Sequence, residues 1–196
     1  LLIAEGVRGR LRRALGARFR YYRLAYNAVA VVTVAPVVLY ARGLDGPLLW
    51  RWDGTLAAVR LAMLVVGVAL LVAGARRYDM RRFLGLRQLD ADATANTGAG
   101  ADTLAADGTL DTGGILGITR HPWYLAAFLV VWADRSAVTT TALLEDVVLS
   151  AYLVVGTVLE ERKLEREFGA AYRAYRREVS ALLPLAWLRR RLTRRG

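Results

Sequence analysis

Two stretches hold the side chains best equipped for chemistry. Residues 117–124 read Gly-Ile-Thr-Arg-His-Pro-Trp-Tyr and contain the single histidine, His121. Further on, an apolar run ends in Glu160-Glu161, followed by Leu164, Phe168-Gly169, Tyr172, Tyr175 and Pro184. Pro122 suits the first position of a helix, where its missing N–H costs nothing, and this makes His121 the N-cap. Free backbone N–H groups of Trp123, Tyr124 and Leu125, with Arg120 beside them, would form a site for an anionic group such as a carboxylate. Adjacent helical residues point ~100° apart, so only one of Glu160 and Glu161 can face a given pocket. A carboxylate at a low-dielectric edge binds a cation, or holds a polar cofactor group, more strongly than one in water. Plainer roles stay open: His121 capping a helix with Arg120 meeting a phospholipid, and Glu160, Glu161, Glu165 and Glu167 pairing with Arg162, Lys163 and Arg166 at a solvated helix end.

Both stretches lie at the edges of greasy segments. Of 196 residues, 56% are hydrophobic and 23% charged, too apolar for an ordinary soluble domain and too charged for a chain buried throughout. Segregation resolves this, with apolar blocks separated by arginines. The net charge of +11 comes from arginine, Lys163 being the single lysine. Such charge suits nucleic acid or an anionic membrane surface. The apolar runs select the membrane, and no nucleic-acid partner is expected. Absence of cysteine excludes disulfides, thiolate metal sites and thiol catalysis, and one histidine excludes a multi-histidine metal centre. The chain opens Leu1-Leu2-Ile3-Ala4 without methionine, so a preceding apolar segment is the expectation. Its basic stretch follows the apolar start, the reverse of a cleavable signal peptide.

The elements that must position the site follow from the runs. Residues 8–23 interleave Arg8, Arg10, Arg12, Arg13, Arg18, Arg20 and Arg23 with Leu11, Leu15, Phe19, Tyr21 and Tyr22, as an interfacial helix does. Leu24 to Tyr40 is uncharged and long enough to cross a bilayer core, with Pro36 expected to kink it. Residues 41–54 read as a turn bearing the interfacial Trp50 and Trp52. Thr55 to Ala75 is a second span, with Arg60 snorkelling outward from its start. Residues 90–114 form a polar loop. An apolar run at 123–133, a turn at 134–136 and a helix from about Thr140 to Leu159 complete the spans, with Glu145 and Asp146 in the first turns of the last. Tyr172, Tyr175 and Val179 recur at helical spacing beside Arg173, Arg176 and Arg177, as in a helix lying on headgroups, and the arginine-rich tail 185–196 reads as an electrostatic anchor. The predicted architecture is therefore an all-α integral membrane bundle of about four transmembrane helices with interfacial amphipathic helices. It forms one domain over 1–196, divided into 1–89, the loop 90–114, a site region 115–184 and the tail. Four crossings place the arginine-rich stretches 8–23, 76–87 and 173–195 on one side, which the positive-inside rule makes cytoplasmic, and the site falls on that side.

Taken in order, Gly117-x-x-Arg120-His121-Pro122-x-Tyr124, an apolar hairpin, Glu160-Glu161-x-x-Leu164-x-x-x-Phe168-Gly169-x-x-Tyr172-x-x-Tyr175 and a late proline resemble the integral-membrane methyltransferases, which include isoprenylcysteine carboxyl methyltransferases and phospholipid N-methyltransferases. The resemblance covers about residues 113–184. It implies a helical bundle in a bacterial or archaeal inner membrane that binds S-adenosylmethionine at its cytoplasmic side and methylates a lipid or small hydrophobic acceptor. It further implies that Arg120, His121, Pro122, Tyr124, Leu125 and Tyr172 line the cofactor site, that Glu160 and Glu161 close it, and that Glu160 and His121 are the catalytic pair. Membrane lipids are the expected partners. The turn lacks the aromatic usual in that superfamily, and Gly156 stands where the isoprenylcysteine branch carries an arginine, which argues against prenylated proteins as substrates. Two other readings stay open. One is an NADPH-dependent sterol-type reductase, which shares a histidine-proline-aromatic turn but has a glutamate where this chain has Ala126-Ala127. The other is a non-catalytic membrane protein linked to nitrogen-oxide respiration.

Overall fold

Apolar runs that water rejects become helices, because within lipid a backbone must satisfy its own hydrogen bonds. The computed structural model describes residues 5–44, 46–76 and 110–193. Helix α1 (Glu5–Leu15) passes through a 3-10 turn (Gly16–Tyr21) into α2 (Tyr22–Arg42), and strand β1 (Leu48–Arg51) precedes α3 (Gly54–Ala75). A second 3-10 turn (Gly114–Gly117) leads into α4 (Pro122–Ala133), β2 (Ala137–Thr139), α5 (Thr140–Phe168), α6 (Ala170–Glu178) and α7 (Leu185–Thr193). Three helices are long and apolar enough to cross a bilayer, Leu24–Arg42, Gly54–Ala75 and Thr140–Phe168, and Pro122–Ala133 is a shorter apolar one. The chain is an integral membrane protein built as an all-α bundle. The expected loop over 90–109, most of the basic stretch 76–87 and Arg194 and Arg195 of the tail lie outside the described residues.

The described residues form two compact units, residues up to 41 in the first and 42–76 with 110–193 in the second. In the first, the basic stretch does not continue as one α-helix. Gly16 has φ +49°, a left-handed conformation that glycine alone adopts without strain, and α1 ends just before it. Pro36 is accommodated inside α2.

In the second unit, α3 and α4 run antiparallel and very close together. Gly67 faces Ala126, Leu129 and Val130, and a Cβ on Gly74 would overlap the Trp123 indole. Small residues at such a seam let two backbones approach where lipid offers no hydrophobic drive. Leu70, Leu125 and Ala126 fill the space between, with Ile115, Leu129 and Leu182 packed against them. Helix α5 returns antiparallel to α4, its Ser150 hydroxyl accepting from the Trp132 indole N–H at 2.9 Å.

One end of this unit is closed by a two-stranded ribbon that the turn expected at 41–54 did not anticipate. β1 and β2 pair antiparallel, Leu48 opposite Thr139 and Arg51 opposite Ala137, with a bulge between Leu48 and Trp50. Strands this short, flanked by glycine and proline, carry little pattern of their own. Arg60 is half-buried, its guanidinium directed to the end of α4 beside the 134–136 turn. Its Nε donates to the Ala133 carbonyl at 2.8 Å and its Nη2 to that of Asp134 at 3.2 Å, which satisfies carbonyls at the end of α4. Arg42 pairs with Asp134, and Arg135 with Glu145.

Helix α5 starts where expected, the Thr139 hydroxyl capping it by accepting from the Ala142 N–H at 3.2 Å. It does not stop at Leu159. Glutamate, arginine, lysine and leucine are strong helix formers, and the helix runs on until Gly169, whose φ of +53° ends it. The seam between α3 and α4 predicts that Gly74→Ala, which must displace the Trp123 ring, will cost about 1–3 kcal/mol. Thermal unfolding in detergent should show a lower Tm than for Gly9→Ala, where the added methyl meets nothing within 4 Å.

Candidate active site

The His-Pro turn is held by backbone pairing before any ligand chemistry arises. Backbone N–H groups of Arg120 and His121 donate to the carbonyls of Ser180 and Ala181, each at 3.0 Å. The Thr119 hydroxyl, fully buried, donates to the same Ala181 carbonyl at 2.9 Å. Tyr175 donates its phenol O–H to the Leu116 carbonyl at 2.6 Å. The segment after α6 thus runs alongside residues 119–121 and clasps them.

Arg120 completes the clasp. It is buried, and its Nε donates to Glu161 Oε1 at 2.9 Å while Nη2 pairs with the same oxygen. Its Nη1 donates to the carbonyl of Arg176 at 3.0 Å and to that of Val179. A buried cation is tolerable only when paired and hydrogen-bonded, and here the partners come from three separate elements. Its expected role toward an external carboxylate or phospholipid gives way to an internal one: the anion it binds is Glu161.

His121 occupies the N-cap position of α4, with Pro122 following as the first helical residue, but its side chain makes no capping bond. The ring instead sits between the two glutamates. Nε2 lies 3.3 Å from Glu161 Oε1 and Nδ1 lies 3.7 Å from Glu160 Oε2. Tyr124 presents its ring edge-on to the imidazole, centroids 5.6 Å apart. Gly156 on α5 makes room for this, since a Cβ there would lie 3.1 Å from the Tyr124 ring. Pro122 is fully buried.

The two glutamates differ in what they have left to give. Glu161 serves Arg120, His121 and, at 3.7 Å, the Arg176 guanidinium, and its side chain is 12% exposed. Among the described residues, Glu160 meets His121 and the Tyr124 phenol, and its side chain is 24% exposed. Glu165 pairs with Arg173 and Arg176 from α6, so the acidic stretch couples two helices and is not a solvated end.

The structure therefore brings Arg120, His121, Tyr124, Glu160 and Glu161 together at one end of the second unit. Leu125 stands apart, packed with Leu70 and Ala126, and its N–H donates to the His121 carbonyl at 3.0 Å, so it is not a free donor. Tyr172, Tyr175 and Val179, expected on lipid headgroups, are buried with Leu164 inside the protein. The Tyr172 hydroxyl meets no hydrogen-bond partner among the described residues. Burial, and after it the Glu161 charge, holds this phenol above its ordinary range, so it stays neutral through physiological pH. Thr119 and the carbonyls of 176–181 escape sequence reasoning, because a backbone oxygen has no signature in residue type.

Comparison with known proteins follows this geometry. The chain matches the family described as NnrU protein over residues 1–188. It belongs to that family. It is also 32% identical over 142 residues, 72% of its length, to methanethiol S-methyltransferase 2 of Bradyrhizobium diazoefficiens. A methanethiol S-methyltransferase of Pseudomonas deceptionensis is 36% identical over 40% of the chain and 29% of its own length. That of Mycobacterium tuberculosis is 42% identical over 33% of the chain and 26% of its own length. The chain spans about half the length of the first relative, 52%, and less of the others. No solved structure matches it. Those relatives are named as methyltransferases, in line with the resemblance of the motifs.

If Arg120 and Glu161 depend on each other as this geometry requires, Glu161→Gln strands a buried guanidinium and costs about 3–5 kcal/mol. Chemical unfolding in detergent should show that loss, and Arg120→Met with Glu161→Gln together should cost less than the sum of the two single changes. Tyr172→Phe, which removes an unsatisfied hydroxyl, should leave stability equal or raised.

Proposed function

We propose that this chain is a membrane methyltransferase that uses S-adenosylmethionine, with a small hydrophobic thiol such as methanethiol as acceptor and the site on the cytoplasmic side of an inner membrane. The observation that carries this reading is the His121–Glu160–Glu161 group at the start of α4, where Glu161 is held by Arg120 and Glu160, beside His121 and Tyr124, is the more exposed carboxylate. The names of the relatives supply the thiol. Lipid acceptors remain within the same chemistry, and surrounding membrane lipids are the expected partners.

The residues present suit a sulfonium cofactor. Glu160 would hold the cationic end, with Tyr124 offering an aromatic face to the same charge. His121 would border the cofactor beside them, with the buried Tyr172 phenol near enough to Glu161 to feel its charge. When bound, S-adenosylmethionine supplies an electrophilic methyl group. Displacement of that methyl needs alignment far more than acid–base work. Alignment is what this chain provides: Arg120 and Glu161 fix the turn, the turn fixes His121, and His121 and Gly156 between them set the position of Tyr124.

Calorimetry in detergent separates this proposal from its rivals. Binding of S-adenosylmethionine and S-adenosylhomocysteine without NADPH supports it, NADPH alone supports a reductase, and binding of neither supports a non-catalytic protein. Glu160→Gln should weaken S-adenosylmethionine by about ten- to a hundredfold, the worth of a contact to a charged group. The uncharged thioether of S-adenosylhomocysteine should lose much less. His121→Ala should weaken both. Transfer of labelled methyl to methanethiol, measured against total membrane lipid, identifies the acceptor.

A further inference from the structure

Helix α7 carries an apolar stripe that the second unit leaves uncovered. Leu185, Leu188 and Leu192 are 62%, 45% and 73% exposed. At ~100° per residue they fall within about 60° of arc. Arg189 and Arg191 border the stripe, and the helix sequence LAWLRRRLT contains no acidic residue. The other side of the helix is tied to the site. The Ala186 N–H donates to Ser180 Oγ at 3.0 Å, and Arg190 Nη2 reaches the Gly117 carbonyl at 3.5 Å. Arg191 lies 4.8 Å above the Trp187 ring.

We propose that α7 lies in the headgroup layer of an anionic leaflet, its leucines in the acyl boundary and Arg189 and Arg191 among the lipid phosphates, and that it thereby sets the depth of the His-Pro turn. Two features select a lipid surface over water or a protein groove. A solvated helix has no reason to align three leucines, and arginines on both borders of an apolar stripe match the snorkelling geometry of an interfacial helix. The charge matches too, since each arginine near an anionic surface is worth roughly fivefold in surface affinity. The link to the site is direct: Ser180, which receives the α7 backbone at its hydroxyl, gives its carbonyl to the Arg120 N–H. This anchoring does not depend on what the site binds.

The chain contains no cysteine, so one introduced thiol labels one position. Full-length Leu188→Cys, Leu192→Cys and Arg190→Cys proteins carrying a nitroxide are placed in nanodiscs of phosphatidylcholine with or without phosphatidylglycerol. Collisions with oxygen should dominate at 188 and 192, and collisions with a nickel chelate at 190, with both leucine positions shallower when phosphatidylglycerol is omitted. Nickel access at 188 and 192 equal to that at 190 would place the helix in water, and shielding from both probes would place the stripe against protein. Either result overturns the proposal, as does a depth indifferent to lipid charge. A label at Gly117→Cys should move toward water when Arg189→Gln and Arg191→Gln are combined, and a label that stays put breaks the coupling to the turn. The readout is position and not turnover, so it stands or falls apart from methyl transfer.

Discussion

The site rests on one buried ion pair. Arg120 and Glu161 meet largely shielded from solvent, and neither could stay ionised there alone. Because the same guanidinium also takes the carbonyls of Arg176 and Val179, the pair joins the turn before α4, the second half of α5 and the segment after α6. The second half of α5 and the segment after it also share the apolar cluster of Leu164, Tyr172, Tyr175 and Val179. The ion pair adds the turn before α4 to that packing.

This explains why two adjacent glutamates are not redundant. Neighbouring helical positions diverge by ~100°, so one carboxylate turns inward to the clasp while the other stays at the edge. Glu161 holds Arg120, while Glu160 meets His121 and Tyr124. The single histidine reports on both, since its two ring nitrogens face one carboxylate each. A change at Glu161 therefore reaches His121 and Tyr124 without touching any ligand directly.

Much of this arrangement was legible in residue types. The uncharged runs delimit α2 and α3 to within a couple of residues, Pro122 marks the start of α4, and the turn and the acidic couple do converge. What was not legible has physical reasons. Helical spacing put Tyr172, Tyr175 and Val179 on one face but could not say whether lipid or protein covers it, and Leu164 covers it. The length of α5 was underestimated because a change from apolar to charged residues ends a membrane span without ending a helix. The role of Arg120 depends on backbone carbonyls some sixty positions away, about which side-chain identity is silent.

The 12 residues of helix α4 rise roughly 18 Å, well short of a hydrocarbon slab about 30 Å thick. Its neighbours are longer, 22 residues in α3 and 29 in α5, so α4 runs out before they do. Arg60 takes over at that point, its guanidinium donating to the carbonyls of Ala133 and Asp134 that no further helical turn could satisfy.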